Sequence, residues 1–141
     1  MTNPSGPVIW IVEDDPSTQR LITDSIRLNG FACICYGSAE KAYTALRVDP
    51  LPDLIILDML LPGMSGVDLI RLLKQNKQWS NIPVVVVTVL SRAQAYGHEP
   101  TPSEASEESA AGANPVFWVR KPFGTEQLIR IVQGILASVG I

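Results

Sequence analysis

The sequence is poor in cysteine and histidine, which narrows the kinds of site it can form. Its two cysteines, Cys33 and Cys35, lie two residues apart in a predicted strand and would point to the same face. That geometry disfavours a mutual disulfide, and two thiols are too few for a structural metal centre. We expect both to be reduced packing residues. The single histidine, His98, lies in an irregular stretch and is interpreted as a solvated residue rather than a ligand or phosphodonor.

The chain also lacks a run of basic residues and a long apolar segment. A net charge of -3 without any cluster of Lys or Arg argues against a nucleic-acid surface or an anionic-membrane surface. Residues 82–90, among the longest apolar segments, are far too few to span a bilayer, and the start at Met1 has no basic signal-peptide region. We therefore expect a cytoplasmic protein that binds neither nucleic acid directly nor membranes.

The length of 141 residues, 46% of them hydrophobic, suits one compact domain with a substantial core. The first residues are rich in Pro, Gly and Ser. We expect a flexible leader over residues 1–7 and one domain over residues 8–141.

Apolar runs alternate with segments of helical spacing along the chain. The runs predict five strands, at residues 8–12, 31–36, 54–57, 82–88 and 116–119. Helices are expected to begin at Pro16, after Ser38, after Gly66 and at Thr125, and the third of them to end near Lys77. Strands that alternate with helices predict an α/β fold with a parallel sheet and helices on both of its faces.

One stretch breaks this regularity. Residues 91–113 are polar and rich in small residues where another helix is expected, so the region after the fourth strand should be irregular or elongated. Thr101, Pro102 and Glu104 form a capping-box pattern, which predicts a short helix over residues 102–111 and leaves residues 91–99 as a long loop.

Chemistry-bearing residues follow the strands of this predicted sheet. Glu13 and Asp14 come after the first strand, Asp58 after the third, Thr88 ends the fourth and Lys121 follows the fifth. The carboxyl ends of parallel strands meet at one edge, where open α/β sheets place their ligand sites. Alone, an Asp at a strand end more often caps the next turn, and only the combination favours a functional site.

This combination resembles the receiver domain of two-component response regulators, the CheY-like fold. The matching motifs are Val12-Glu13-Asp14-Asp15-Pro16, the segment from Asp58 to Gly66, the strand-ending Thr88 and Lys121-Pro122-Phe123. The resemblance covers nearly the whole chain. It implies a doubly wound five-stranded sheet of order 2-1-3-4-5, and a cis peptide bond before Pro122.

The resemblance implies that Asp58 accepts a phosphoryl group. Thr88 and Lys121 would assist it, because a hydroxyl and a mobile ammonium bind phosphoryl oxygens. The carboxylates of Glu13, Asp14 and Asp58 would repel one another unless a hard cation lay between them, so Mg²⁺ is implied. In the family pattern its ligands are Asp14, Asp58, the carbonyl of Leu60 and, through water, Glu13.

The resemblance also implies a conformational switch. When the Thr88 hydroxyl turns toward the phosphoryl group, an aromatic side chain of the fifth strand fills the space that it leaves. Most family members have Tyr or Phe there, whereas this chain has Trp118, whose larger ring is expected to damp the switch.

Three apolar residues near the site depart from the usual pattern. Val89 is branched where the family has a small residue, and it is expected to narrow the approach to Asp58. Leu60 and Leu90 occupy positions where polar groups would orient an attacking water. We therefore expect a phosphorylated state that loses its phosphoryl group slowly.

Three functions remain in competition at this point. The first is a phospho-accepting switch, which is not an enzyme in the usual sense. The second is a pseudo-receiver that serves as an interaction module without phosphorylation, favoured by Val89, Trp118 and the irregular region. The third, a phosphohydrolase with an Asp nucleophile, is disfavoured because Asp58-Met59-Leu60 offers no second acid to protonate a leaving group.

The partners of a switch follow from the same resemblance. The upstream partner is a sensor histidine kinase or phosphotransfer protein, and the downstream effector is unidentified. The domain could also form a homodimer through the face made by the fourth helix, fifth strand and fifth helix. The sequence leaves open whether it is a stand-alone regulator or an excised domain.

Overall fold

Five short apolar segments form a single parallel sheet in the computed structural model, which describes residues 6–96 and 116–138. The strands are β1 (Val8–Val12), β2 (Ala32–Tyr36), β3 (Leu54–Leu57), β4 (Val84–Thr88) and β5 (Val116–Arg120). All pairs are parallel and the order is β2-β1-β3-β4-β5, as predicted.

Position in the sheet explains the composition of each strand. Every residue of the central strands β3 and β4 is buried, because strands flank them on both sides and helices cover both faces. The edge strand β2 is more open, and Ile34 within it is 47% exposed. Cys33 and Cys35 lie in this strand as free thiols. Cys33 packs against the core as predicted, but Cys35 is exposed, so its prediction as a packing residue is wrong.

Helices alternate with the strands and begin at the polar caps that the sequence contains. They are α1 (Pro16–Leu28), α2 (Ala39–Val48), α3 (Gly66–Gln75), α4 (Arg92–Tyr96) and α5 (Thr125–Ser138). Asp15 and Ser38 accept hydrogen bonds from backbone N–H groups in the first turns of α1 and α2. Ser65 and Asp68 form a reciprocal capping box at α3.

The alternation of side chains along the strands creates two cores. One core includes Trp10, Ile55 and Val86 and packs against α2 and α3. The other includes Ile11, Ile56 and Val87 and packs against α1 and α5. The rigid sheet between them fixes the strand ends that carry the polar residues.

The loop predicted for residues 91–99 is wrong in part, because α4 lies within it. Ser91 Oγ accepts a hydrogen bond from Gln94 N at 3.2 Å, and Ser91 N donates to Gln94 Oε1 at 2.8 Å. This is a capping box that the sequence analysis overlooked. The helix predicted for residues 102–111 and His98 lie outside the described residues.

Element boundaries differ from prediction by one or two residues. The fourth strand begins at Val84 rather than residue 82, since Pro83 has no N–H to donate, although its carbonyl still accepts from Ile55 N at 3.0 Å. The third helix ends at Gln75 rather than near Lys77, the second strand begins at Ala32, and the fifth ends at Arg120.

The leader predicted for residues 1–7 falls mostly outside the described residues. Its last member, Pro7, accepts a hydrogen bond from Ala32 N at 3.2 Å. Within residues 6–96 and 116–138, no helix has the length and apolar character needed to cross a membrane.

Candidate functional site at the carboxyl edge of the sheet

Asp58 directly follows β3 and is held in place by its neighbours in the chain and in the sheet. Its backbone N–H donates to the carbonyl of Val12 in the adjacent strand at 3.1 Å. The side chain is 8% exposed, and Oδ1 accepts a hydrogen bond from Leu60 N at 3.0 Å. The carboxylate is therefore oriented at the edge of the sheet while remaining open to solvent on one side.

The acidic pair after β1 approaches Asp58 from the neighbouring strand. One carboxylate oxygen from each of Glu13, Asp14 and Asp58 lies within 4.8 Å of the others. Glu13 is 3% exposed, and its Oε2 accepts from the backbone N–H groups of Asp14 and Asp15 at 3.1 and 3.4 Å. Asp14 is exposed and faces the solvent side of the cluster. Asp15 instead caps α1.

Lys121 enters the cluster from the end of β5. Its Nζ donates to Glu13 Oε1 at 2.8 Å and to Asp58 Oδ2 at 3.2 Å, and the side chain is 18% exposed. The backbone N–H of Lys121 donates to the carbonyl of Thr88 at 2.8 Å, which anchors the residue to β4. The Lys121–Pro122 peptide bond is cis, as the resemblance implied.

Burial and the neighbouring charges both shift the pKa values of Glu13 and Lys121. Burial raises the pKa of Glu13 above its ordinary value, helped by repulsion from Asp58, although the Lys121 ammonium partly offsets both effects. Burial alone would lower the pKa of Lys121. The hydrogen bond that Lys121 donates to Glu13 and the attraction to Asp58 outweigh that effect and raise the pKa of Lys121. The ammonium is thus the positive charge that holds the acids together.

The cluster lies in an open cleft whose walls come from three loops. Acidic groups lie on one side and the loop after β3 on the other, and Thr18 from α1 also contributes. The cleft is lined by Glu13, Asp14, Asp15, Thr18, Asp58, Leu60, Leu61, Pro62 and Lys121. Five of the seven predicted site residues therefore line one cleft, and a small anionic group can reach Asp58 from solvent.

The other two predicted residues, Thr88 and Trp118, lie beside this cleft rather than in its lining. The Thr88 side chain is fully buried, and its Oγ1 accepts from Leu90 N at 3.3 Å. Trp118 is half-buried in the core against α2 and α3, and its Nε1 donates to the carbonyl of Leu90 at 3.3 Å. The peptide groups of Leu90 thus connect the hydroxyl with the indole.

Two further residues show what sequence reasoning did not resolve. Val89 is 51% exposed and does not line the cleft. Gln19, which the sequence analysis did not single out, donates its side-chain amide to the carbonyl of Glu13 and so helps to hold the acidic loop. No motif marks Gln19, because the contact depends on the angle at which α1 leaves β1.

The donor set of the cluster fits a hard divalent cation. Three carboxylates supply only oxygen atoms, and Mg²⁺ binds such oxygens with several of its waters retained. The exposed Asp14 and the open cleft leave room for those waters. The described residues can therefore hold a metal ion at this point.

The sequence matches the family model of the response regulator receiver domain over residues 9–133. The phosphate regulon transcriptional regulatory protein PhoB of Pseudomonas aeruginosa is 31% identical over 135 residues, which is 96% of this chain and 54% of that protein. The DNA-binding response regulator MtrA of Mycolicibacterium smegmatis is 40% identical over 80 residues, 57% of this chain and 33% of that protein. The chain thus spans about half or less of the length of these curated relatives.

Solved structures share the fold. The signal receiver domain of a signal transduction histidine kinase from Syntrophus aciditrophicus is 26% identical, with a TM-score of 0.78, over 96% of this chain and 93% of that one. The receiver domain of sensor histidine kinase PA1611 from Pseudomonas aeruginosa PAO1, which has a magnesium ion in its active site cleft, gives a TM-score of 0.75 at 20% identity over 94% and 98% of the two chains. At that identity the likeness shows the fold alone.

Proposed function

This chain belongs to the response regulator receiver domain family, and on that basis we propose that it is a signalling switch phosphorylated on Asp58. The observation that carries the proposal is the position of Lys121, whose ammonium contacts both Glu13 and Asp58. A carboxylate accepts a phosphoryl group when fixed positive charge offsets the incoming negative charge. The cleft combines that carboxylate with that charge.

We assign the metal site to the carboxylates of Glu13, Asp14 and Asp58 and to the carbonyl of Leu60, with Glu13 acting through water. Mg²⁺ bound there would neutralise part of the charge that the phosphoryl group brings. Leu60 belongs to this set by the family pattern, and the hydrogen bond from its N–H to Asp58 keeps its backbone beside the cluster.

The chemical step needs no further protein nucleophile. An oxygen of Asp58 forms a bond to phosphorus while the bond from phosphorus to the donor, a phosphohistidine nitrogen, breaks and its electron pair leaves with the donor. Lys121 remains protonated and moves from its bridge between Glu13 and Asp58 onto the phosphoryl oxygens. The product is an acyl phosphate, in which the transferred phosphoryl group carries the negative charge.

The switch would run through the Leu90 peptide groups. When the Thr88 hydroxyl turns toward the phosphoryl group, it gives up the hydrogen bond from Leu90 N. Leu90 then shifts, and with it the carbonyl that holds the indole of Trp118. Trp118 is thereby tied to the resting position by a hydrogen bond that Phe at this site would lack, and this bond would damp the switch.

The proposal is tested by the binding of beryllofluoride, which mimics a phosphoryl group on a carboxylate. We expect the protein to bind Mg²⁺ alone, and to bind beryllofluoride only when Mg²⁺ is present. Isothermal titration calorimetry measures both equilibria, and ¹⁹F NMR resolves the fluorides of the bound complex. A matched titration with a chelator in place of Mg²⁺ should give no binding. Absence of a beryllofluoride complex at saturating Mg²⁺ would contradict the proposed function.

The apolar residues near the cleft predict slow loss of the phosphoryl group. Leu60 is 59% exposed in the cleft lining and offers no hydrogen bond to orient an attacking water. The aspartyl phosphate should therefore outlast minutes, and Leu60→Asn should shorten its lifetime by about tenfold by positioning that water. Decay is followed by ³²P loss after removal of the donor.

The control for that prediction is another exposed leucine far from the cleft. Leu28, on α1, is 85% exposed, and Leu28→Asn should leave the lifetime unchanged. Decay of the wild-type aspartyl phosphate within minutes would contradict the prediction.

The described residues favour the phospho-accepting switch over the interaction-module alternative. It drew on Val89, Trp118 and the region after β4. Val89 does not line the cleft, and the three acids lie together with Lys121 between two of them. We therefore retain the phospho-accepting switch.

Partners remain part of the proposal. A sensor histidine kinase or phosphotransfer protein would supply the phosphoryl group, and the face formed by α4, β5 and α5 would meet an effector or a second copy. The relatives include regulators whose names specify transcription or DNA binding. We propose that this domain regulates such an output in the cytoplasm without contacting nucleic acid itself.

A further inference from the structure

The loop between β3 and α3 contacts the first turn of α2. Glu40, an exposed residue in the first turn of α2, accepts a hydrogen bond from the backbone N–H of Met64 on its Oε2 at 3.1 Å, although 24 residues separate the two. None of the motifs that carry the resemblance includes Glu40, and neither does the cleft lining.

Gly63 allows the carboxylate to come this close. Its φ of +74° is a conformation that glycine adopts readily, so the turn itself favours glycine. A Cβ on Gly63 would also clash with Glu40 Oε2 and lie 3.2 Å from Glu40 Cδ. The carboxylate therefore fills the space in which a side chain at this position would lie.

The same loop forms one wall of the cleft. At its start, Leu60 N–H donates to Asp58, and both Leu60 and Pro62 line the cleft. At its end, Gly66 N donates to the carbonyl of Met59 at 3.3 Å and begins α3. The Glu40 contact lies between these two ends, one residue before the Ser65 cap of α3.

We propose that Glu40 is a positioning residue for the β3–α3 loop, and that its carboxylate sets the backbone of Leu60 for metal binding. A backbone N–H that is bonded to a side-chain oxygen restricts the loop before a ligand arrives. The inference rests on the function proposed above, since Leu60 is assigned there as a metal ligand through its carbonyl.

Two substitutions separate positioning from charge. Glu40→Ala removes both the acceptor and the charge, whereas Glu40→Gln keeps an oxygen that accepts from Met64 N. We expect Glu40→Ala to weaken Mg²⁺ binding by roughly three- to tenfold, the contribution of about one hydrogen bond, and Glu40→Gln to stay near the wild type. Calorimetric titration of Mg²⁺ measures these affinities. Lys41→Ala, a change at the adjacent exposed position, is the control and should have no effect.

Hydrogen exchange of the Met64 amide supplies a readout in metal-free protein. Exchange should be faster in Glu40→Ala than in the wild type and near the wild-type rate in Glu40→Gln. Equal Mg²⁺ affinity in Glu40→Ala and wild type would overturn the inference. Equal losses in the Ala and Gln variants would overturn it too, by pointing to charge alone. Failure of the wild type to bind Mg²⁺ would instead refute the proposed function, while the Met64 exchange would still show whether the contact exists.

Discussion

The Asp58→Asn variant should take up no phosphoryl group from acetyl phosphate and Mg²⁺, whereas the wild type should gain the mass of one. The amide is nearly the same size, and its oxygen still accepts the hydrogen bond that Leu60 N now donates to Oδ1. It lacks the negative charge that makes a carboxylate nucleophilic, so the fold should persist while the reaction stops. Intact-protein mass spectrometry measures the gain, and peptide mapping locates it.

The matched control lies at the opposite end of the same strand. Asp53 precedes β3 and accepts a hydrogen bond from Val8 N on its Oδ2 at 2.8 Å, far from the cleft residues in the topology of the sheet. Asp53→Asn keeps an acceptor and should be phosphorylated like the wild type. A mass gain in Asp58→Asn equal to that of the wild type would place the phosphoryl group elsewhere.

Lys121→Ala should lower the rate of phosphoryl uptake by roughly 100- to 1000-fold, the range seen when one preorganised donor to a transition-state charge is removed. In metal-free protein it should also lower the free energy of unfolding by about 1–3 kcal/mol, because Glu13 and Asp58 lose their shared partner. Initial rates with acetyl phosphate measure the first effect, and urea unfolding in the presence of a chelator measures the second.

The neighbouring Arg120 tests whether the effects of Lys121→Ala depend on the position of the lost charge or only on the net charge. Arg120 is exposed at the end of β5, and Arg120→Ala removes the same charge without touching the acids. It should leave both quantities close to the wild type. Mg²⁺ should restore part of the stability lost in Lys121→Ala, since a divalent cation replaces the missing positive charge. Equal effects of the two substitutions would show that Lys121 has no special role.

The fold was predictable because its strands are continuous apolar runs that end in polar residues. Such runs identify buried parallel strands, and their alternation with capped helices leaves few arrangements of the sheet. The helix α4 was missed because its five residues make too few turns for apolar side chains to form a recognisable stripe. Its signal was local, in the Ser91 and Gln94 cap.

The sequence predicted which residues come together at the candidate site but not how they contact one another. Parallel strands bring their carboxyl ends to one edge, so Asp58, Glu13 and Lys121 could be expected together from their order alone. The sequence could not show that Lys121 lies closer to Glu13 than to Asp58, because that depends on side-chain geometry. The contact of Glu40 with Met64 joins elements that are distant in sequence, and no spacing rule predicts it.

The hydrogen bond of Trp118 gives the domain an internal optical reporter. Trp10 and Trp79 are 1% and 7% exposed in the core, so their emission should stay constant while the strands remain packed. Among the tryptophan contacts described above, only that of Trp118 reaches the segment that follows Thr88, where its indole donates to the carbonyl of Leu90. Under the proposed switch, its fluorescence should follow the movement of that segment in unlabelled protein, and occupancy of the cleft should change the tryptophan emission.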